Sequence, residues 1–384
     1  MVTMLTAHTF ELDDIEAAVS EIVSQLDLEN KQRKYSAGIL SCYPEFLETG
    51  VVKAVCDRMP FDIVGCTTLG CGTPGAHGLM MLSLSVLTSD EVVFATALSS
   101  PLVDGHMKAM EDAYACASAA LPDNPSMMIP MVPLVSGLSN DVVIDALDAI
   151  SGGLPIFGTL PSDDTSDYSQ SFVLYNGESF AGSMAMLLLS GPITPQFFIV
   201  SIPDGKRQKQ EALITSSEGC IVHEVNGMPI VEYLQTIGLC KATDLDVVKI
   251  VPFIVDFNDG TTPVARGIYR FTPEGSAVCG GHMPLNATLA IGSLESEDVV
   301  SSTRKMIETV LADKNITSLL AFSCLCRGWA LGVDALAELN AVGKAAKDVP
   351  HLMLYSGGEL CPVYDEQGKT CNRFHNYTCI LCAF

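Results

Sequence analysis

Apolar positions Ile15, Val19, Ile22 and Leu26 recur at spacings of four, three and four with acids between them, which predicts an amphipathic opening helix within residues 11–28. After it the pattern changes. Residues 37–43 form a short apolar run of strand length, 45–59 read as a helix, 62–70 as a second strand entering a glycine turn, and 79–87 as a strand that returns. The order recurs at 127–135 (strand), 141–150 (helix), 154–159 (strand into a glycine turn) and 172–175 with 183–189 (returns). It recurs again at 318–323, 332–347, 351–355 and 377–383. This predicts an internal repeat of β-α-β-β units, although identity between the copies is so low that unrelated β-α-β units remain the alternative. The turns at 65–70, 158–163 and 357–359 then become equivalent strand ends, the places where open α/β sheets collect ligands, and are expected to converge on one pocket.

Between the second and third copies, 195–216 read as alternating strand and turn, Asn226-Gly227 as a tight turn, and 230–237 as a short helix. Residues 246–256 read as a strand, 266–271 and 277–278 as paired strands, and 297–313 as an amphipathic helix. Gly191, Pro192, Pro195 and Pro203 cluster where a boundary is expected, dividing the chain into 1–195 and 196–384. The predicted fold class is α/β, two-lobed, with mixed β-sheets covered by helices.

Composition narrows this picture. The chain is 48% hydrophobic with mean hydropathy +0.33, but its longest apolar stretch, 184–202, is broken by Ser190, Gly191, Pro192, Thr194, Pro195 and Gln196 and is no membrane span. The apolar excess therefore belongs in strands covered on both faces. A net charge of −24, from 45 acidic and 21 basic residues, repels a phosphate backbone and argues against nucleic acid. The basic run Lys206-Arg207-Gln208-Lys209 reads as a solvated loop. Fourteen cysteines, with Asp13, Asp14 and Glu16 where a secretory signal needs basic and apolar residues, predict free thiols in the cytoplasm.

Several motifs stand at the predicted strand ends. Ile63-Val64-Gly65-Cys66-Thr67-Thr68-Leu69-Gly70 and Phe157-Gly158-Thr159-Leu160-Pro161-Ser162-Asp163-Asp164 lie in the first half. Val225-Asn226-Gly227-Met228-Pro229, Phe322-Ser323-Cys324-Leu325-Cys326-Arg327-Gly328, Tyr355-Ser356-Gly357-Gly358-Glu359-Leu360-Cys361-Pro362 and Phe374-His375-Asn376-Tyr377-Thr378 lie in the second. In order and spacing these resemble the turns of the FIST family, a two-part sensory module of bacterial signalling proteins that also occurs with F-box proteins. The resemblance runs from about residue 35 to the end. It implies a small ligand, amino acids being the usual suggestion. No kinase, cyclase, chemoreceptor or F-box segment accompanies the motifs, so output is expected through a separate partner such as a histidine kinase, a cyclic-dinucleotide enzyme or a chemoreceptor. Leu69-Gly70-Cys71 departs from the family's Gly-Glu and removes an acidic contact there, and Thr159 and Pro161 replace small residues.

The ligand shell is expected from Cys66, Thr67, Thr68, Gly70, Gly158, Asp163, Cys324, Arg327, Gly328, Tyr355, Gly358, Glu359, His375, Asn376 and Thr378. An α-amino acid needs a planar cation for its carboxylate and an anion for its ammonium, which Arg327 and Glu359 supply. The competing reading is that these two simply pair with each other, and that the Thr, Asn and Asp residues stabilise turns. No cofactor is expected. The alternative is haem on His375, a gas sensor for NO, without any Cys-x-x-Cys-His motif to support it. Cys324, Cys326, Cys361 and Cys371 lack strong zinc spacing, and Cys379 and Cys382, three apart on a strand, face opposite ways. An enzyme reading makes Cys324 or Cys326 a nucleophile, His375 its base and Glu359 the orienter.

Overall fold

A computed structural model of the chain describes residues 2–165, 167–239, 251–365 and 367–384. The opening helix is Ile15–Leu26, capped by the Asp14 carboxylate on the Ala17 N–H and burying Ala18, Val19, Ile22 and Leu26. It belongs to the first of three units with one plan: edge strand, helix, strand, helix, strand, hairpin, return strand. In the first unit these are Thr3–Thr9, Ile15–Leu26, Tyr35–Cys42, the helices Glu45–Glu48 and Val51–Asp57, Ile63–Thr67, the hairpin Cys71–Thr73 with Ala76–Gly78, and Leu82–Ser89. In the second they are Val93–Leu98, His106–Ala119, Met127–Met131, Asn140–Ser151, Gly158–Thr159, Val173–Tyr175 with Glu178–Phe180, and Ala185–Ser190. In the third they are Gln196–Val200, Ser296–Val310, Leu319–Cys324, the helices Leu325–Leu331 and Ala337–Ala346, His351–Ser356, Glu359–Tyr364 with Thr370–His375, and Cys379–Ala383. The expected repeat is therefore present, and the sheets are mixed: the two central strands of each unit run parallel and the return strand lies antiparallel beside the first.

The hairpins do not stay with their own units. The first unit's hairpin extends the third unit's sheet, through Cys71 and Gly72 on Leu354 and Met353. The second unit's joins the first sheet, through Val173–Tyr175 on Val64–Cys66. The third unit's joins the second sheet, where Glu359 and Leu360 pair with Thr159 and Gly158. The exchange closes in a ring, so residues 1–195 and 196–384 share sheets. Phe374 and His375 end this hairpin rather than opening the return strand, which begins at Cys379.

Between Val200 and Ser296 the third unit carries an inserted antiparallel sheet, eight-stranded among the described residues, with its own apolar core. Asn226 and Gly227, both at positive φ, make the expected tight turn between Ile221–Val225 and Met228–Pro229. The predicted strand at 246–256 is present as Phe253–Asp256, while 246–250 lie outside the described residues. Among the described residues no helix is long and apolar enough to cross a membrane.

One buried ion pair holds the insertion against the second unit. Arg266, 0% exposed, donates to Asp141 at 2.8 Å and to the Phe374 carbonyl at 2.8 Å, with its guanidinium between the rings of Phe257 and Phe374. The other Asp141 oxygen accepts from the His282 N–H at 2.7 Å. Position 281 must be glycine, because a Cβ there would lie 2.6 Å from Arg266 Nε. Asp141→Ala strands a buried guanidinium and is expected to cost about 3–5 kcal/mol in equilibrium unfolding. The Asp141→Leu/Arg266→Met double variant should recover most of that loss. A single variant as stable as wild type would refute the pair's role.

Candidate functional site

The three strand ends meet, but they meet each other. Thr68 donates to the carbonyls of Gly70 at 2.9 Å and Tyr355 at 2.7 Å, and Ser162 donates to the same Tyr355 carbonyl at 2.9 Å. The Tyr355 N–H donates to Gly70 at 2.9 Å, and Thr159 donates to Ser356 at 2.8 Å. Thr67 Oγ1 accepts the Phe172 N–H at 2.9 Å. Asp163 accepts from Thr165 N–H and hydroxyl and from Gln170 N–H and Ser171 hydroxyl, at 2.6 to 2.9 Å, so both its oxygens organise a loop. Cys66 lies in the central apolar core, its thiol pushed up to about 12 by burial and the neighbouring Cys71. Gly158 allows close backbone approach, since a Cβ would stand 2.5 Å from the Pro130 carbonyl. These positions fasten the units together, and the facing pocket walls expected of them are a joint.

Arg327 and Glu359 are both 0% exposed, but they are not ion-paired. The guanidinium pairs with Glu338, Nη2 at 2.8 Å and Nε at 3.0 Å, and also donates to Thr303 at 2.8 Å and the Val299 carbonyl at 3.1 Å. Glu338 accepts further from Thr303 and Ser323. The expected clamp on a ligand carboxylate is thus mostly engaged within the fold, on the helix pair Leu325–Leu331 and Ala337–Ala346. Nη1 alone is buried without a partner. Gly328 and Tyr355 belong to the same packing, a Cβ at 328 falling 3.5 Å from the Tyr355 ring, whose hydroxyl donates to Ala335.

Glu359 lies fully buried in a cluster of polar side chains, called the chamber below. Thr378 donates to Oε2 at 2.7 Å, and Oε1 is buried with no partner. Burial, followed by the nearby Cys324 thiol, holds the carboxyl well above the ordinary range, so the neutral acid is favoured. Around it gather groups from three parts of the chain. Cys324 and Cys326 come from the third unit, Tyr377 from the turn before its return strand, Tyr168 from the second unit and Tyr269 from the insertion, and their acidic groups act on one another. Tyr377 hydrogen-bonds Cys326, and burial pushes its phenol far up. Two paired glycines let the insertion pack closely here: Gly280 N–H donates to Gly267 at 2.8 Å. A Cβ at 280 would lie 2.5 Å from Asn376 Oδ1 and 3.0 Å from the Tyr269 hydroxyl, and one at 267 would lie 3.4 Å from the Tyr377 ring. Asn376 itself donates to the His375 carbonyl at 3.0 Å. Gly358 lies under Phe374, whose ring a Cβ would meet at 2.6 Å.

The tyrosines and the glycine pair were not singled out in the sequence. Tyr377 sits inside a recognised motif, but Tyr168 and Tyr269 reach the chamber only through tertiary packing and carry no local signal.

His375 faces Glu359 across the hairpin, yet its Nε2 donates to the Cys361 carbonyl at 3.2 Å. Burial pushes the imidazole down to about 4 and keeps it neutral. It borders a cavity of about 340 Å³ shared with Thr378, Asp204 and Arg207. With Nε2 on that carbonyl, Nδ1 is the ring nitrogen left for any other partner. Among the described residues no three His, Cys, Asp or Glu side chains gather closely enough to hold a metal ion. Cys379 and Cys382 pack into different cores on opposite faces of their strand. The Cys324 thiol is pushed far up, by burial first and then by Cys326, which speaks against Cys324 as the nucleophile of the enzyme reading.

Comparison with known proteins gives two family models in sequence order: the FIST N domain matches residues 36–228 and the FIST C domain residues 231–362. No curated relative matches the chain. A crystal structure of a cyanuric acid hydrolase from A. caulinodans aligns over 100% of this chain and 99% of that one at 11% identity, with a TM-score of 0.31 that carries no argument.

Two outcomes test the site. Arg327→Ala leaves Glu338 buried and unpaired, and a loss of about 3–5 kcal/mol in unfolding free energy is expected; unchanged stability would return Arg327 to a pure ligand role. For His375 the folded value lies below the unfolded 6.5, so its contribution is full above pH 6.5 and is lost as pH falls through about 4. The loss amounts to about 3 kcal/mol at roughly 1.4 kcal/mol per unit. Stability profiles of wild type and His375→Gln over that window should diverge, and superimposable slopes would contradict the assignment.

Proposed function

Since the chain belongs to the FIST family, whose domains are sensory modules that bind small ligands, we propose that it is an intracellular sensory protein for a small polar, amino-acid-like ligand held at Glu359. The observation that carries this reading is Glu359 Oε1, fully buried and without a hydrogen-bond partner among the described residues, on a carboxyl that the Arg327 charge reaches. A buried unsatisfied group costs about 1–3 kcal/mol, more when charged. A polar group of a ligand would satisfy it. The thirteen described cysteines, all free, suit a reducing compartment.

The described strands all fall within the four sheets of the module, and the occupied state is proposed to pass to a separate protein, such as a histidine kinase, a cyclic-dinucleotide enzyme or a chemoreceptor. The chamber is the proposed sensor because it takes side chains from two units and the insertion, so its occupancy bears on how they sit together.

A thermal-shift screen of amino acids and small organic acids tests the reading, on wild type and on Gly267→Val, which crowds the Tyr377 ring and the Cys326 thiol. Shifts in wild type that vanish in the variant are expected. Equal shifts in both proteins would place the ligand elsewhere, and no shift with any compound would sink the proposal.

A further inference from the structure

We propose that the cavity of about 340 Å³ between the third unit and the insertion is a binding site for a small neutral molecule with an apolar body and one hydrogen-bond donor, the hydroxyl or N–H of an alcohol, phenol or indole. The cavity meets the Glu359 cluster at Thr378, which lines the one and donates to the other. It is a second site, and the inference does not rest on an amino-acid-like ligand at Glu359.

The walls of this cavity are apolar. Ile199 and Ile202 come from the edge strand of the third unit and the residues after it, and Ile254, Pro263 and Val264 from two strands of the insertion and the turn between them. Its volume is at the lower end of the roughly 300–1,000 Å³ common for ligand pockets, which suits a molecule of one or two rings. A charge carried in among these walls would lose its hydration without an opposite charge to pair with. The two charged residues of the lining offer none there: Asp204 is exposed to water, and Arg207 donates to the Glu211 carboxylate at 2.6 Å.

Two buried side chains of the lining, His375 and Thr378, set the polarity, and both are fixed by the hydrogen bonds they already make. The Cys361 carbonyl can only accept, so the His375 proton sits on Nε2 at 3.2 Å from it. In the neutral ring Nδ1 is then an acceptor, and among the described residues it has no partner. Burial first, with the charges of Arg266 and Arg373 behind it, keeps the ring neutral against the Cys361 bond and the Asp141 charge. Thr378 commits its hydroxyl proton to Glu359 Oε2 at 2.7 Å, so toward the cavity its oxygen can only accept. The Ser201 and Thr262 hydroxyls also line the space, but they can rotate to donate or accept and do not discriminate. Two fixed acceptors read a donor on the ligand, whereas a carboxylate would bring lone pairs against lone pairs.

Calorimetric titration of the full chain with matched probes tests the site: indole and phenol, then N-methylindole and anisole, which keep the body and lose the donor, and benzoate. Indole or phenol should bind, and the methylated counterparts at least about tenfold more weakly, because they leave the acceptors unpaired. Ile202→Trp fills the cavity from a half-buried wall and Thr262→Trp from its exposed rim, and each should abolish the binding in a protein that still melts cooperatively. His375→Phe keeps a ring and removes the acceptor, so it should bring indole and N-methylindole to equal affinity. Nitrogen NMR of the wild-type ring should show the proton on Nε2 and a change at Nδ1 when indole binds. Equal binding of the methylated pairs by wild type, a preference for benzoate, binding that survives both Trp variants, a proton found on Nδ1, or no binding by any probe overturns the inference. None of these probes is an amino acid, so the screen on Gly267→Val stands or falls separately.

Discussion

The carbonyl of Tyr355 accepts hydroxyl hydrogen bonds from Thr68 at 2.7 Å and from Ser162 at 2.9 Å, one from each of the other units, while its N–H donates to Gly70. Three chain segments far apart in sequence are thereby fixed at one point. All the donors and acceptors are buried, so opening any one contact exposes polar groups to an apolar interior. The exchange of hairpins reinforces the same closure, because no unit's sheet is complete without a strand from its neighbour. What positions Glu359 is therefore a ring of mutually dependent sheets: the strand it opens is held by Thr159 of another unit.

Three related units nevertheless leave a single chamber. The hairpins that follow the second parallel strands begin at Cys71, Val173 and Glu359, so only the third opens on a carboxylate. Among the described residues the third unit alone carries the inserted sheet, whose Gly267 and Gly280 let it approach Tyr377 and Asn376 closely. This joint alone of the three gathers phenols from the insertion and the second unit around a buried carboxyl. The Arg266–Asp141 pair matters here because it clamps the insertion against the second unit and, through the Phe374 carbonyl, against the Glu359 hairpin.

Much of this was legible in the sequence, and the reasons for the rest are physical. Parallel core strands are short and apolar on both faces, and the helices between them are periodic, so three strand-helix-strand copies stood out. The destination of each hairpin did not, because Cys71–Thr73 pairs with a strand about 280 residues away and nothing local encodes a partner that distant. Arg327 was recognisable as a buried cation from its motif. Its partner Glu338 lies eleven residues on, in the next helix, and reads there as an ordinary surface acid of an amphipathic segment. Glu359 and Thr378 were identified together, but the tyrosines that define the chamber's chemistry arrive from the insertion and the second unit.

That division bears on how a ligand would be felt. Glu359 and Thr378 are rigidly placed by the closed ring, whereas Tyr269 keeps 45% of its surface exposed and belongs to a sheet with a separate core. A ligand held at Glu359 and touching the insertion would connect a fixed wall to the inserted one. Its differential affinity would then favour whichever placement of the insertion completes its contacts, which is the only way a bound molecule can bias a conformational equilibrium.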